Sequence, residues 1–169
     1  MIIITILSVI LLAAADQGLK ALAVSKLAEG QSVTVLSVGD TDILTFSLYK
    51  NTGAAFSSLQ GKIPLLIIIT VVLMALLVAG LVKYKPKAKF PLICIIMILG
   101  GGIGNLIDRA LLGYVVDFII LFPFKFIFNF ADICVVIGAI LLLIWFIFFD
   151  KHEDEKPAEN VSEENSQHE

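Results

Sequence analysis

Four aspartates and two cations sit in or beside stretches of sequence that are otherwise almost wholly apolar: Asp16, Asp108, Asp117 and Asp132, with Lys20 and Arg109. Their spacing is helical. Asp16 and Lys20 stand at i, i+4; Asn105, Asp108 and Arg109 at i, i+3, i+4; Asn129 and Asp132 at i, i+3, so each set shares one helix face. An ionisable side chain in a membrane span costs several kcal/mol and is by default a functional hypothesis. Asp16 can neutralise Lys20 and Asp108 can neutralise Arg109, which leaves two carboxylates without a cation. Two close carboxylates cannot both ionise cheaply, so one keeps a proton. The ionised member can then deprotonate a water while the protonated member polarises a carbonyl, which is the chemistry of aspartic peptide hydrolysis. Such a pair titrates as a unit. Spacing alone leaves the partner of Asp132 open between Asp117 and Asp108; Arg109, next to Asp108, would hold that carboxylate ionised and favours Asp117.

Other chemistries lack their residues. Both histidines, His152 and His168, lie in the last twenty residues, so Ser-His, Cys-His and HExxH-type zinc sites have no histidine in the body of the chain. Cys94 and Cys134 lie inside apolar runs and read as small packing residues. No metal or cofactor is expected.

The elements that must position these groups are membrane spans. The 169 residues favour one domain. They are 59% apolar and 16% charged, against about 45–50% and about 25% in soluble domains. That disfavours a cytosolic enzyme, a nucleic-acid binder and a disordered chain. Four windows, 2 to about 24, 63–82, 90–112 and about 127–149, are long enough to cross a bilayer, which takes roughly 20 apolar residues. Lys83, Lys85, Lys87 and Lys89 crowd the loop between the second and third windows, and a lysine-rich short loop is cytoplasmic. Both termini are then cytoplasmic, and all the polar groups fall at the extracytoplasmic ends of the spans. The run 2–15 ends in Ala13-Ala14-Ala15 and also resembles a cleavable signal. No Lys or Arg precedes it, however, and apolar residues resume at Leu19, so a retained span is expected.

Residues 25–62 form the first outer loop. Segments 33–38 and 43–49 are β-prone with a Gly39-Asp40-Thr41-Asp42 turn between them, which predicts a small hairpin. Residues 113–126 form a second outer loop, rich in Phe and Val. From Asp150 onward the chain carries a net charge of −6, against +3 for residues 1–149. This acidic tail has little to bury and should be disordered. Gly100-Gly101-Gly102 and Gly104 precede the Asn105 cluster, and glycines let membrane helices approach closely.

Five segments in order, Asp16-Gln17-Gly18-Leu19-Lys20, Asn51-Thr52-Gly53-Ala54-Ala55-Phe56, Gly101-Gly102-Ile103-Gly104-Asn105-Leu106-Ile107-Asp108-Arg109, Val116-Asp117-Phe118 and Phe128-Asn129-Phe130-Ala131-Asp132, resemble the successive signatures of lipoprotein signal peptidases (signal peptidase II). The resemblance covers about residues 10–145 and excludes the tail. It implies a membrane α-helical fold, a four-transmembrane-helix bundle with a small extracytoplasmic β-hairpin or β-cradle insertion. It also implies an aspartic endopeptidase of the bacterial cytoplasmic membrane that removes the signal peptide of diacylglyceryl-modified prolipoproteins, cutting before the lipidated cysteine. Under it, Asp117 and Asp132 are the catalytic pair. Asn51, Gly53, Asn105, Arg109 and Asn129 line the substrate pocket, and Asp16, Lys20, Asp108 and Ala131 support them. Ser57 follows Ala-Ala-Phe, where the family often has glycine or another small residue, with little consequence expected. Partners implied are diacylated prolipoproteins and membrane lipids, not nucleic acid. A bundle of four helices can close on itself, so a monomer is expected.

Three rival readings remain at this point. A small transporter would place its charges near the bilayer midplane with broken helices, which the one-ended placement disfavours. A scaffold with a structural charge cluster would lose nothing on replacement of Asp117 or Asp132. A Ser/Lys peptidase would use Ser57 or Ser58 with Lys20. Without the resemblance, Asn51 in Asn-Thr-Gly reads as a plain turn.

Overall fold

A computed structural model describes residues 2–53, 60–84, 88–124 and 126–149. Four α-helices, α1 (Ile2–Lys26), α2 (Ile63–Tyr84), α3 (Lys89–Leu111) and α4 (Phe130–Phe148), are each long and apolar enough to cross a membrane. The described residues also include three β-strands: β1 (Ser32–Val38), β2 (Thr41–Asn51) and β3 (Val115–Leu121). The acidic tail and Ala54, Ala55, Phe56, Ser57 and Ser58 lie outside the described residues, as do Lys85 and Lys87.

The helices follow the apolar windows because, without water, a spanning backbone must satisfy its own polar groups. α3 is the central helix. It packs along α4 and α1 and supports α2, whose single buried residue is Leu66. The glycines explain how closely these helices approach. A Cβ on Gly100 would stand 2.7 Å from the Cβ of Leu12 on α1, and one on Gly138 would stand 2.8 Å from the Cys94 carbonyl oxygen. A Cβ on Gly101 would collide with the Ala131 carbonyl oxygen of α4. Val9, Cys94, Ile95, Leu99 and Leu142 form the apolar interior away from the polar end. Most remaining helix surface is apolar and outward-facing, as a lipid solvent demands.

The hairpin forms where expected. β1 and β2 pair antiparallel from Ser32 opposite Ser47 to Val38 opposite Thr41. Gly39, with φ of 60°, supplies the left-handed turn conformation that side chains disfavour. The second outer loop departs from expectation, because its first half is strand β3, antiparallel to β2 with Tyr49 opposite Asp117 and Asn51 opposite Val115. Val115, Val116, Asp117 and Phe118 are all buried, so this strand shows none of the apolar–polar alternation that marks a half-exposed one. Val116 and Phe118 pack with Ala23 of α1 and with Phe46 and Leu48 of β2. The sheet thereby sits at the C-terminal end of α1. The fourth helix begins at Phe130, later than its apolar window, for a reason that lies in the site.

Candidate active site

α4 starts where it does because Asn129 is its N-cap. The Asn129 side-chain oxygen accepts from the Asp132 N–H at 2.9 Å, and an Asp132 carboxylate oxygen accepts from the Asn129 N–H at 3.2 Å. This reciprocal capping box satisfies two amide donors that a helix start leaves open. Asn129 and Asp132 are thus a cap and its partner, rather than two residues on one face of a longer helix. Asn129 is fully buried and its amide nitrogen also donates to Asp117 Oδ1 at 2.6 Å. One residue therefore binds both carboxylates, that of Asp117 on β3 through its side-chain amide and that of Asp132 in the first turn of α4 through its backbone N–H.

The remaining partners complete the arrangement. Asn105 of α3 donates to Asp132 Oδ1 at 2.7 Å and accepts from Asn129 at 3.0 Å. Asn51, at the end of β2, donates to Asp117 Oδ2 at 2.8 Å. Its oxygen meanwhile accepts from the Gly53 N–H at 2.9 Å, so the residue closes a turn and reaches Asp117 at once. Gly53 is buried beside it. Asp117 is 1% exposed, whereas Asp132 is partly open. Burial pushes the Asp117 carboxyl up to about 7, and the Asp132 charge adds to the rise. The hydrogen bonds from Asn51 and Asn129 and the charge of Lys20 pull the other way. Arg109 lies within electrostatic reach of Asp132, Asp117 and Asp108, and its Nε is buried with no hydrogen-bond partner among the described residues.

The structure corrects one expected pairing. Asp108 is bound to Lys20 of α1 at 2.9 Å rather than neutralised by Arg109. Lys20 also binds Asp16 at 2.7 Å, so the lysine lies between two aspartates, all three buried. This engagement separates Asp108 from the pair that Asn129 joins. Asp16 accepts from the Ala131 N–H at 2.9 Å, and Ala131 is fully buried. A Cβ at Gly104 would come within 2.5 Å of Asp16 Oδ2, which explains the glycine. Gln17 had no role assigned from sequence. It donates to Asp108 Oδ1 at 2.8 Å and to the Gly104 carbonyl at 3.1 Å; its only sequence signal is an amide in an apolar span, next to Asp16.

A model of the family described as signal peptidase (SPase) II matches residues 8–148. The chain belongs to the signal peptidase II family. A lipoprotein signal peptidase of Clostridium tetani is 40% identical over 162 residues, covering 92% of this chain and 97% of that protein. One from Halothermothrix orenii is 39% identical over 147 residues, covering 86% and 94%. A solved bacterial membrane enzyme, determined in meso at 2.3 Å, superposes with a TM-score of 0.80 at 32% identity, covering 92% of this chain and 94% of that one. A second, determined at 1.9 Å, gives a TM-score of 0.76 at 33% identity, covering 87% and 94%. The signal peptidase II fold of this chain is thus that of a multi-pass membrane enzyme, and all the site residues named above fall within the matched region.

Proposed function

We propose that this signal peptidase II family member is an aspartic endopeptidase that removes signal peptides from diacylglyceryl-modified prolipoproteins, cutting before the lipidated cysteine, with Asp117 and Asp132 as its acid–base pair. The observation that carries this reading is the single residue Asn129, which is hydrogen-bonded to both carboxylates. The lipoprotein signal peptidases to which the chain is similar supply the substrate class.

In this reading a water held between the two carboxylates gives its proton to the ionised member as its oxygen attacks the scissile carbonyl carbon. The protonated member gives its proton to the carbonyl oxygen. The tetrahedral intermediate collapses, the C–N bond breaks, and the leaving nitrogen takes back a proton from the pair. Asn51, Asn105 and Asn129 fix the carboxylates, and Arg109 and Gly53 meet the substrate backbone. The buried Asp117, titrating near neutrality, suits a pair that must hold one proton between two oxygens.

Topology supports an extracytoplasmic site. The polar groups gather at the end of the bundle formed by the C-terminal parts of α1 and α3 and the start of α4, opposite the lysine-rich loop between α2 and α3 that the positive-inside rule assigns to the cytoplasm. Both termini are then cytoplasmic. Residues 1–149 form the membrane peptidase domain, with 25–62 as its outer β insertion and 150–169 as an acidic cytoplasmic tail. One chain supplies every site residue, so a monomer suffices. The scissile bond next to a diacylated cysteine would lie at the depth of the outer headgroups, where water reaches it.

The test is processing of a diacylated prolipoprotein by the purified full-length chain. Asp117→Asn and Asp132→Asn should each abolish cleavage while a Ser57→Ala/Ser58→Ala variant cleaves normally. Parental cleavage by either Asn variant would refute the assignment.

A further inference from the structure

The buried Asp16–Lys20–Asp108 group does more than neutralise itself. Lys20 Nζ has three oxygen neighbours: it pairs ionically with Asp16 Oδ2 at 2.7 Å and Asp108 Oδ2 at 2.9 Å and donates a hydrogen bond to Asn105 Oδ1 at 2.9 Å. Each partner continues to a different part of the site. Asp16 Oδ1 accepts from the N–H of Ala131, the residue before Asp132. Asp108 Oδ2 accepts at 3.0 Å from the N–H of Val116, the residue before Asp117. Asn105 donates directly to Asp132.

We infer that Asp16 and Asp108 are positioning residues, joined by Lys20, that set the separation of the two reacting carboxylates by holding the backbone N–H that precedes each one. The inference rests on the reading of Asp117 and Asp132 as the reacting pair. It follows from topology. Asp117 is carried by a short strand and Asp132 by the first turn of a helix, and Asn129 joins the two carboxylates locally. Asp16 and Asp108 anchor both to the α1–α3 contact, where Gly104 leaves no room for a Cβ beside Asp16 and Gln17 ties Asp108 to the Gly104 carbonyl. A pure ion-pair role would need only the oxygens facing Lys20. Asp16 instead uses its second oxygen on a backbone N–H 115 positions away in sequence.

The two roles separate by which substitution rescues. Asparagine keeps an oxygen to accept the Ala131 or Val116 N–H but gives up one of the lysine's ion pairs; alanine gives up both. The experiment measures kcat, KM and thermal midpoint for full-length Asp16→Asn, Asp16→Ala, Asp108→Asn and Asp108→Ala on a synthetic peptide carrying diacylglyceryl-cysteine. The alanine variants should lose about 10²-fold in kcat, the loss that a 1 Å misplacement can cause. KM should stay within about threefold, because these residues hold the catalytic pair rather than the substrate. The asparagine variants should keep a tenth or more of parental kcat. The inference is overturned if asparagine and alanine lose kcat equally, if kcat is untouched, or if KM alone moves. Should the alanine variants not fold, the asparagine variants decide alone, since a loss of kcat as deep as that of Asp117→Asn would overturn it. Asp117→Asn and Asp132→Asn run alongside. Parental rates there would fell the reading of the pair itself, whereas failure confined to the Asp16 and Asp108 variants would fell only the positioning role.

Discussion

The two ends of this four-helix bundle are held together by different forces. At one end Val9, Cys94, Ile95, Leu99 and Leu142 pack by shape alone. At the other, Asp16, Lys20, Asn105, Asp108, Asp117 and Asn129 are buried in a continuous hydrogen-bond network. Lipid tails are as apolar as leucine, so the first end gains little from hiding apolar surface and depends on close packing around small residues. The second depends on directional bonds that have no substitute once a partner is removed. The fold therefore tolerates change unequally: the packed end accepts a new shape of similar volume, whereas at the networked end the loss of a single donor or acceptor is felt.

The deepest effect on stability is expected from Lys20→Met, which leaves Asp16 and Asp108 buried without their cation. Removing one partner of a buried ion pair typically costs about 3–5 kcal/mol, so the thermal midpoint of the purified chain should fall sharply and activity should vanish. Gly101→Ala should follow, because the added Cβ meets the Ala131 backbone oxygen, which cannot yield as a flexible side chain would. Overpacking of this kind costs about 1–3 kcal/mol, and the displaced start of α4 should lower kcat along with the midpoint.

A smaller effect, on pH dependence, is expected at Asn51. With Asp117 titrating near 7, the proton that the pair must share is lost as pH rises through that value, so cleavage should decline on the alkaline side. The Asn51 N–H stabilises the ionised form. Asn51→Ala should therefore raise the Asp117 pKa and move the alkaline limb of the rate profile to higher pH. An unmoved or lowered limb would contradict the assigned bond. The smallest effect belongs to the packed end. Leu142→Met should cost under about 1.5 kcal/mol, as volume-conserving swaps do, and leave the cleavage rate unchanged.

Much of this was legible in the residues. Apolar length alone located the four helices, and helical spacing grouped the polar side chains at one end. What stayed hidden depended on contacts between elements. That Lys20 reaches Asp108 rather than leaving it to Arg109 depends on how closely α1 approaches α3, which Gly100 and Gly104 permit but spacing along one chain segment cannot encode. Strand β3 was missed because burial of Val115, Val116, Asp117 and Phe118 leaves no alternation to read. Asn129 looked like a residue inside a span because its capping role shows only when the Asp132 carboxylate is seen to return to the Asn129 N–H. Gln17 is an amide in an apolar span whose partners lie 87 and 91 residues along the chain, so its role does not show in its own segment.

If Asp117 and Asp132 act as one unit, as proposed, a double-mutant cycle exposes it. Residues that work as a unit are strongly non-additive in their effect on rate. Single-turnover cleavage of the diacylated substrate should fall by about 10³-fold or more for Asp117→Asn and for Asp132→Asn, and Asp117→Asn/Asp132→Asn should be no slower than either. Losses that multiply in the double variant, or a single variant that keeps the parental rate, would mean that the two carboxylates do not share the reaction.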